Sequence, residues 1–128
     1  MTHGILCATD FSEASRNVVI WSVRFAQSIQ SHLTILYAFR IFKSNGHAVE
    51  MKRKMFEDAT MKFEVLEKEV LAGSGITYDF KIEIGFVGDR IEEHIKKNNL
   101  SFLVMGRNMS IDNRELFYEL MDRLRKPL

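Results

Sequence analysis

Short apolar runs alternate along this chain with longer segments whose apolar residues recur every three or four positions. Ile5-Leu6-Cys7-Ala8-Thr9 is the first run, free of charge, as expected of a strand covered on both faces. Asp10-Phe11-Ser12 follows, and Ser12 is a good helix N-cap. Ala14, Val18, Trp21, Phe25 and Ile29 then share one helical face, which predicts a helix with these residues turned inward. Leu33 to Phe39 is a second buried strand, and Lys43-Ser44-Asn45-Gly46 marks a loop. A long helix is predicted from about Ala48 to Leu71, with Phe56, Ala59, Phe63, Leu66 and Val70 inside. Asp58 with Lys62 and Glu64 with Lys68 have the spacing of outer-face ion pairs. Gly73-Ser74-Gly75 ends that helix.

Tyr78, Phe80, Ile82 and Ile84 alternate with polar residues, so the third strand has a wetter face, as at a sheet edge. Gly85 to Asp89 turns into a helix with Ile91 and Ile95 inward. Leu100 to Met105 is the fourth strand. A loop from Gly106 leads to a last helix near Asp112, where Asp112 and Glu115 have capping-box spacing. The order βαβαβαβα predicts one α/β domain: an open, mainly parallel sheet with helices on both faces. Ligands of such sheets bind beyond the carboxyl ends of the strands, which directs attention to the loops after Thr9, Ala38 and Met105.

Bulk composition narrows the class. A chain of 128 residues suits one domain, and 46% hydrophobic with 27% charged residues is ordinary globular usage. The net charge of +1 lacks the electrostatic footprint of a dedicated nucleic-acid binder. No apolar stretch approaches the length of a membrane span, and the first residues do not read as a secretory signal. One cysteine, Cys7, excludes an internal disulfide and fits a reducing compartment, so the expected location is cytoplasmic. Its apolar strand points to a buried, inert thiol. His3, His32, His47 and His94 show no metal-ligand spacing, so no metal site is expected.

The strand ends carry a resemblance. Residues 5–15, from Ile5 through Thr9-Asp10-Phe11-Ser12 to Ser15, look like the first strand and turn of the universal stress protein family. Leu33–Phe39 is similar to its second strand. Gly85-Phe86-Val87-Gly88-Asp89-Arg90-Ile91 resembles the turn before its third helix, and Phe102-Leu103-Val104-Met105-Gly106 resembles its fourth strand. The resemblance covers almost the whole chain. It implies an open parallel sheet of strand order 3-2-1-4 and, in one branch of the family, an ATP site. On that basis Thr9, Asp10 and Phe11 fall at the first nucleotide-contacting turn. Ala38 falls near adenine, and Met105, Gly106 and Arg107 fall where the phosphate loop starts.

Two departures qualify what the resemblance implies. Met109 stands in place of the phosphate loop's second glycine, and no glycine follows Gly106, so the backbone cradle for phosphates is altered or lost. The chain also stops at Leu128, where the family's fifth strand would begin. Either the sequence is truncated before that strand or a partner supplies it. The fourth strand then offers an open edge, which invites homo-oligomers such as a dimer, or another partner.

Other features have plainer readings. Lys52-Arg53-Lys54 is a solvated helix face, and Trp21 with Phe25 is core. There is no Gly-x-Ser-x-Gly elbow and no P-loop, and Thr9-Asp10 lacks an evident base beside it. The leading expectation is a non-enzymatic stress-response or regulatory domain acting by protein association, with no required cofactor. The alternatives are a switch that binds ATP or AMP with magnesium through a non-standard loop, and a weak nucleotide hydrolase.

Overall fold

The computed structural model describes residues 4–41, 48–98 and 100–106. Four strands and three helices alternate there: β1 (Gly4–Ala8), α1 (Glu13–Ile29), β2 (His32–Phe39), α2 (Ala48–Leu66), β3 (Tyr78–Ile84), α3 (Val87–Lys97) and β4 (Leu100–Met105). The strands form one sheet in the order β3-β2-β1-β4, with every pairing parallel. This is the α/β architecture and strand order expected from the sequence. The helix expected from Asp112 lies outside the described residues.

β1 is central because its run is apolar on both faces. Ile5 and Cys7 join Leu33 and Ile35 under α1 and α2, whereas Leu6 and Ala8 join Leu36 and Ile91 under α3. β3 lies at one edge. Its Tyr78, Phe80 and Ile82 pack toward Phe63 and Leu66. Of the alternate residues, Asp79 meets His32 and Thr34 of β2, Glu83 meets His94 of α3, and Lys81 stands beside Asp79 on β3 itself.

The inner face of α1 differs from the expectation. The residues buried against the sheet are Ser15, Val19, Ser22, Val23 and Ala26. Val18, Phe25 and Ile29 flank this face, and Trp21 is 56% exposed, so Trp21 is not core. Small residues win the sheet-facing positions because they let the helix lie close, and their hydroxyls are satisfied locally. The Ser22 hydroxyl donates to the Val18 carbonyl at 2.8 Å, and that of Ser15 donates to Asp10. The bulky rings are thereby pushed to the rim.

α2 buries Ala59, Phe63 and Leu66, as its spacing implies. It then widens into a π-helical turn, Glu67–Leu71, before the backbone becomes extended at Ala72. Gly73 and Gly75 follow with φ of +79° and +80°, the left-handed region that glycine enters without a Cβ penalty. Neither expected outer-face pair of α2 forms: Lys62 stands 5.5 Å over the Phe11 ring, and Arg53 pairs with Glu57.

Candidate functional site

The parallel register brings the carboxyl ends of β1 and β4 side by side, with Ala8 opposite Met105. Thr9 prolongs β1: its N–H donates to the Leu36 carbonyl at 2.9 Å, and the residue is almost fully buried. Its hydroxyl accepts from the Phe11 N–H at 3.1 Å, which starts the turn. Asp10 closes it. One carboxylate oxygen accepts from the Ser12 N–H at 2.9 Å and from the Ser15 hydroxyl at 2.5 Å. Ser12 caps α1 by accepting from the Ser15 N–H at 3.1 Å. Partial burial opposes ionisation of Asp10, yet the Ser12 and Ser15 hydrogen bonds hold its carboxyl below the usual range.

Gly106 follows β4 beside the same turn. A Cβ there would lie 3.6 Å from Val18 and 3.9 Å from the Ser15 hydroxyl, which are ordinary contacts. Thr9, Asp10, Met105 and Gly106 are therefore gathered at one place, with Ser15 beneath them. Ala38 lies two residues beyond Leu36, the residue that Thr9 engages, on the face of β2 that carries Leu36.

Phe11 turns away from this group. It adopts φ +63°, uncommon for a bulky residue, and its ring packs 4.7 Å from Tyr37 and 4.8 Å from Phe63 on the α1–α2 face. Arg107 lies outside the described residues. Ser15 is the member that sequence reasoning did not single out. The spacing of Asp10, Ser12 and Ser15 is the signal for it, because an aspartate before a capped helix can collect donors from the first turn.

Chemically, this turn can present backbone groups and a firmly ionised carboxylate to a ligand in the β1–β4 crevice. A carboxylate held low by two donors is a weak general base. Among the described residues, no three His, Cys, Asp or Glu side chains are grouped to hold a metal ion. None of the described helices is long and apolar enough to cross a membrane.

A second polar group occupies the amino end of the sheet. The two ring nitrogens of His32 lie 2.8 Å from the Thr77 hydroxyl and 2.8 Å from Asp79. The Thr34 hydroxyl donates to the same Asp79 oxygen at 2.8 Å, and Lys81 stands 3.7 Å from the other. Partial burial opposes the ionisation of Asp79, but the His32 and Thr34 hydrogen bonds keep its carboxyl below the usual range. Nearby, His94 of α3 meets Glu83 at 2.8 Å. Each carboxylate is already engaged within the fold.

Known proteins share this fold. A structure of a universal stress protein family member from Burkholderia pseudomallei superposes with a TM-score of 0.77 at 17% identity, over 97% of this chain and 91% of the other. The universal stress protein UspA from Lactobacillus plantarum gives 0.66 at 22% identity, over 80% and 75%. A universal stress protein solved in complex with cAMP gives 0.59 at 18% identity, over 80% and 74%. At these identities the superpositions establish the fold alone. A search of curated protein sequences finds no match. The family model described as the universal stress protein family, however, matches residues 1–111, which takes in every described strand, the Thr9–Asp10 turn and Gly106. The chain belongs to the universal stress protein family.

Proposed function

We propose that this chain is a stress-response regulatory domain that works by protein association, with a second copy of the chain meeting it at β4. The observation that carries this reading is an aromatic strip beside an uncharged strand edge. Trp21 is 56% exposed and stacks 5.2 Å from Phe25, which meets Phe102 edge-on at 4.9 Å. Phe102 is itself 43% exposed and belongs to β4, whose six residues carry no charge. Among the described residues, β4 pairs with β1 alone. Exposed stacked aromatics are favoured at interfaces, and natural sheets normally protect an edge with charge. The proposed setting is the cytoplasm, in keeping with a single unpaired thiol.

Sedimentation velocity across a range of concentrations tests the proposal. A concentration-dependent dimer is expected, and Phe102→Lys should convert it to monomer while the circular dichroism spectrum is kept. A parent chain that stays monomeric at every concentration overturns the reading.

A second reading, an adenine-nucleotide switch, is favoured by the meeting of Thr9, Asp10, Met105 and Gly106 in the β1–β4 crevice. One structural neighbour was solved with cAMP. Calorimetric titration of ATP and AMP, each with magnesium, checks it. A ligand that binds only the folded state must raise thermal stability, and Asp10→Ala should remove that gain. Silence in both measurements overturns the switch and leaves association standing.

A further inference from the structure

Between the start of α1 and the end of α2 lies a cleft of about 320 Å³. It opens on the α1–α2 face, whereas Ala38 belongs to the other face of the sheet. Phe11, Val65 and Leu66 supply its apolar lining, and Val65 is left half exposed. Two backbone irregularities border it. One is Phe11 in the left-handed region, and the other is the π-helical turn that begins at Glu67, directly after Leu66. Both kinds of irregularity gather at functional sites, because they persist only where surrounding structure holds them.

Charge decides what such a cleft would accept. Arg16 and Glu69 cancel in a 2.8 Å ion pair at its rim. Glu13 also lines the cleft, in the first turn of α1, where the helix's amino end offsets about half of its charge. Lys62 remains. Its ammonium stands 5.5 Å over the Phe11 ring, and no carboxylate among the described residues lies within ion-pair distance of it. A mainly apolar pocket of this size with one unmatched cation suits a small anion with an apolar body.

We propose that the α1–α2 cleft binds a small monocarboxylate with an apolar body. The carboxylate meets Lys62, and the body lies on Phe11, Val65 and Leu66. The cleft shares Thr9 and Ser12 with the β1–α1 turn, but Lys62, Val65 and Leu66 come from α2, and neither reading above uses them.

The test is a titration of the ¹⁵N-labelled chain with 4-phenylbutyrate, followed by amide chemical shifts, with 4-phenylbutanol as the uncharged comparator. Shifts should centre on Phe11, Lys62, Val65 and Glu69, and the alcohol should bind about fivefold more weakly, the scale of one exposed charge pair. Lys62→Gln should erase the difference between acid and alcohol. Val65→Glu, at an exposed position, should exclude the acid by like charge while leaving the remaining spectrum in place. No shifts with 4-phenylbutyrate, or equal binding of the alcohol, overturns the proposal. So do shifts centred on Met105 and Gly106 that AMP reverses.

Discussion

Asp10 and Asp79 do the same chemistry at opposite ends of one sheet, by different routes. Each carboxylate takes two hydrogen bonds on one oxygen, and each is held below the usual carboxyl range. Asp10 draws its donors from Ser12 and Ser15, within its own turn and helix start. Asp79 draws them from His32 and Thr34, on a neighbouring strand far away in sequence. A local network shapes one turn. A long-range network ties an edge strand to the strand beside it, so its loss is felt by the sheet.

The largest expected effect follows from that difference. Asp79→Ala strips the acceptor from the buried Thr34 hydroxyl and from His32, and should cost about 2 kcal/mol, since hydrogen bonds to charged groups are the stronger kind. Urea unfolding measures it, and hydrogen exchange should show β3 opening first. Ser15→Ala should cost about 1.5 kcal/mol, because Ser15 is buried and serves Asp10 as donor. Ser12→Ala removes the cap of α1 and should cost about 1 kcal/mol. If Ser15→Ala proves costlier than Asp79→Ala, the contrast between local and long-range networks is wrong.

Acid sharpens the comparison. Both folded-state carboxyls take up protons at lower pH than their unfolded counterparts. Their contribution is therefore complete above the unfolded value of about 4 and is lost as pH falls through the folded values. Urea midpoints measured from neutral pH downward should stay level and then drop. Asp10→Asn and Asp79→Asn should each make that drop shallower. The smallest effect belongs to Gly106→Ala. Among the described residues its Cβ would meet only ordinary contacts, so stability should change by about 0.5 kcal/mol or less, with any change upward.

The same contrast governs what could be read from the sequence. The element order was legible because parallel strands buried on two faces appear as unbroken apolar runs, as at Ile5–Ala8 and Leu33–Leu36, whereas the sheet order came with the family resemblance. The Ser12 cap was legible because its partners are close by in the chain. The inner face of α1 was not, because Ser15 and Ser22 look polar and Trp21 looks like core, while close helix–sheet approach rewards size over polarity. His32 was dismissed for lacking ligand spacing, and nothing in a linear string announces Thr77 and Asp79 as its partners. Phe11 was assigned to the crevice by its position in the turn. A positive φ then carried its ring to Tyr37 and Phe63.

Cys7 occupies the middle of β1, with no exposed surface, and burial pushes its thiol up to about 11. At neutral pH roughly one thiol in ten thousand is ionised even before access is considered, so reagents that need the thiolate cannot reach it in the closed domain. Fraying of α3 or of the β3 edge leaves it covered. Its side chain lies on the face covered by α1, so lifting of α1 from the sheet exposes it while β1 stays paired with β2 and β4. The chain's one sulfhydryl is thus a stopwatch for the α1 side of the sheet: the rate at which an alkylating agent marks it reports how seldom that side is uncovered.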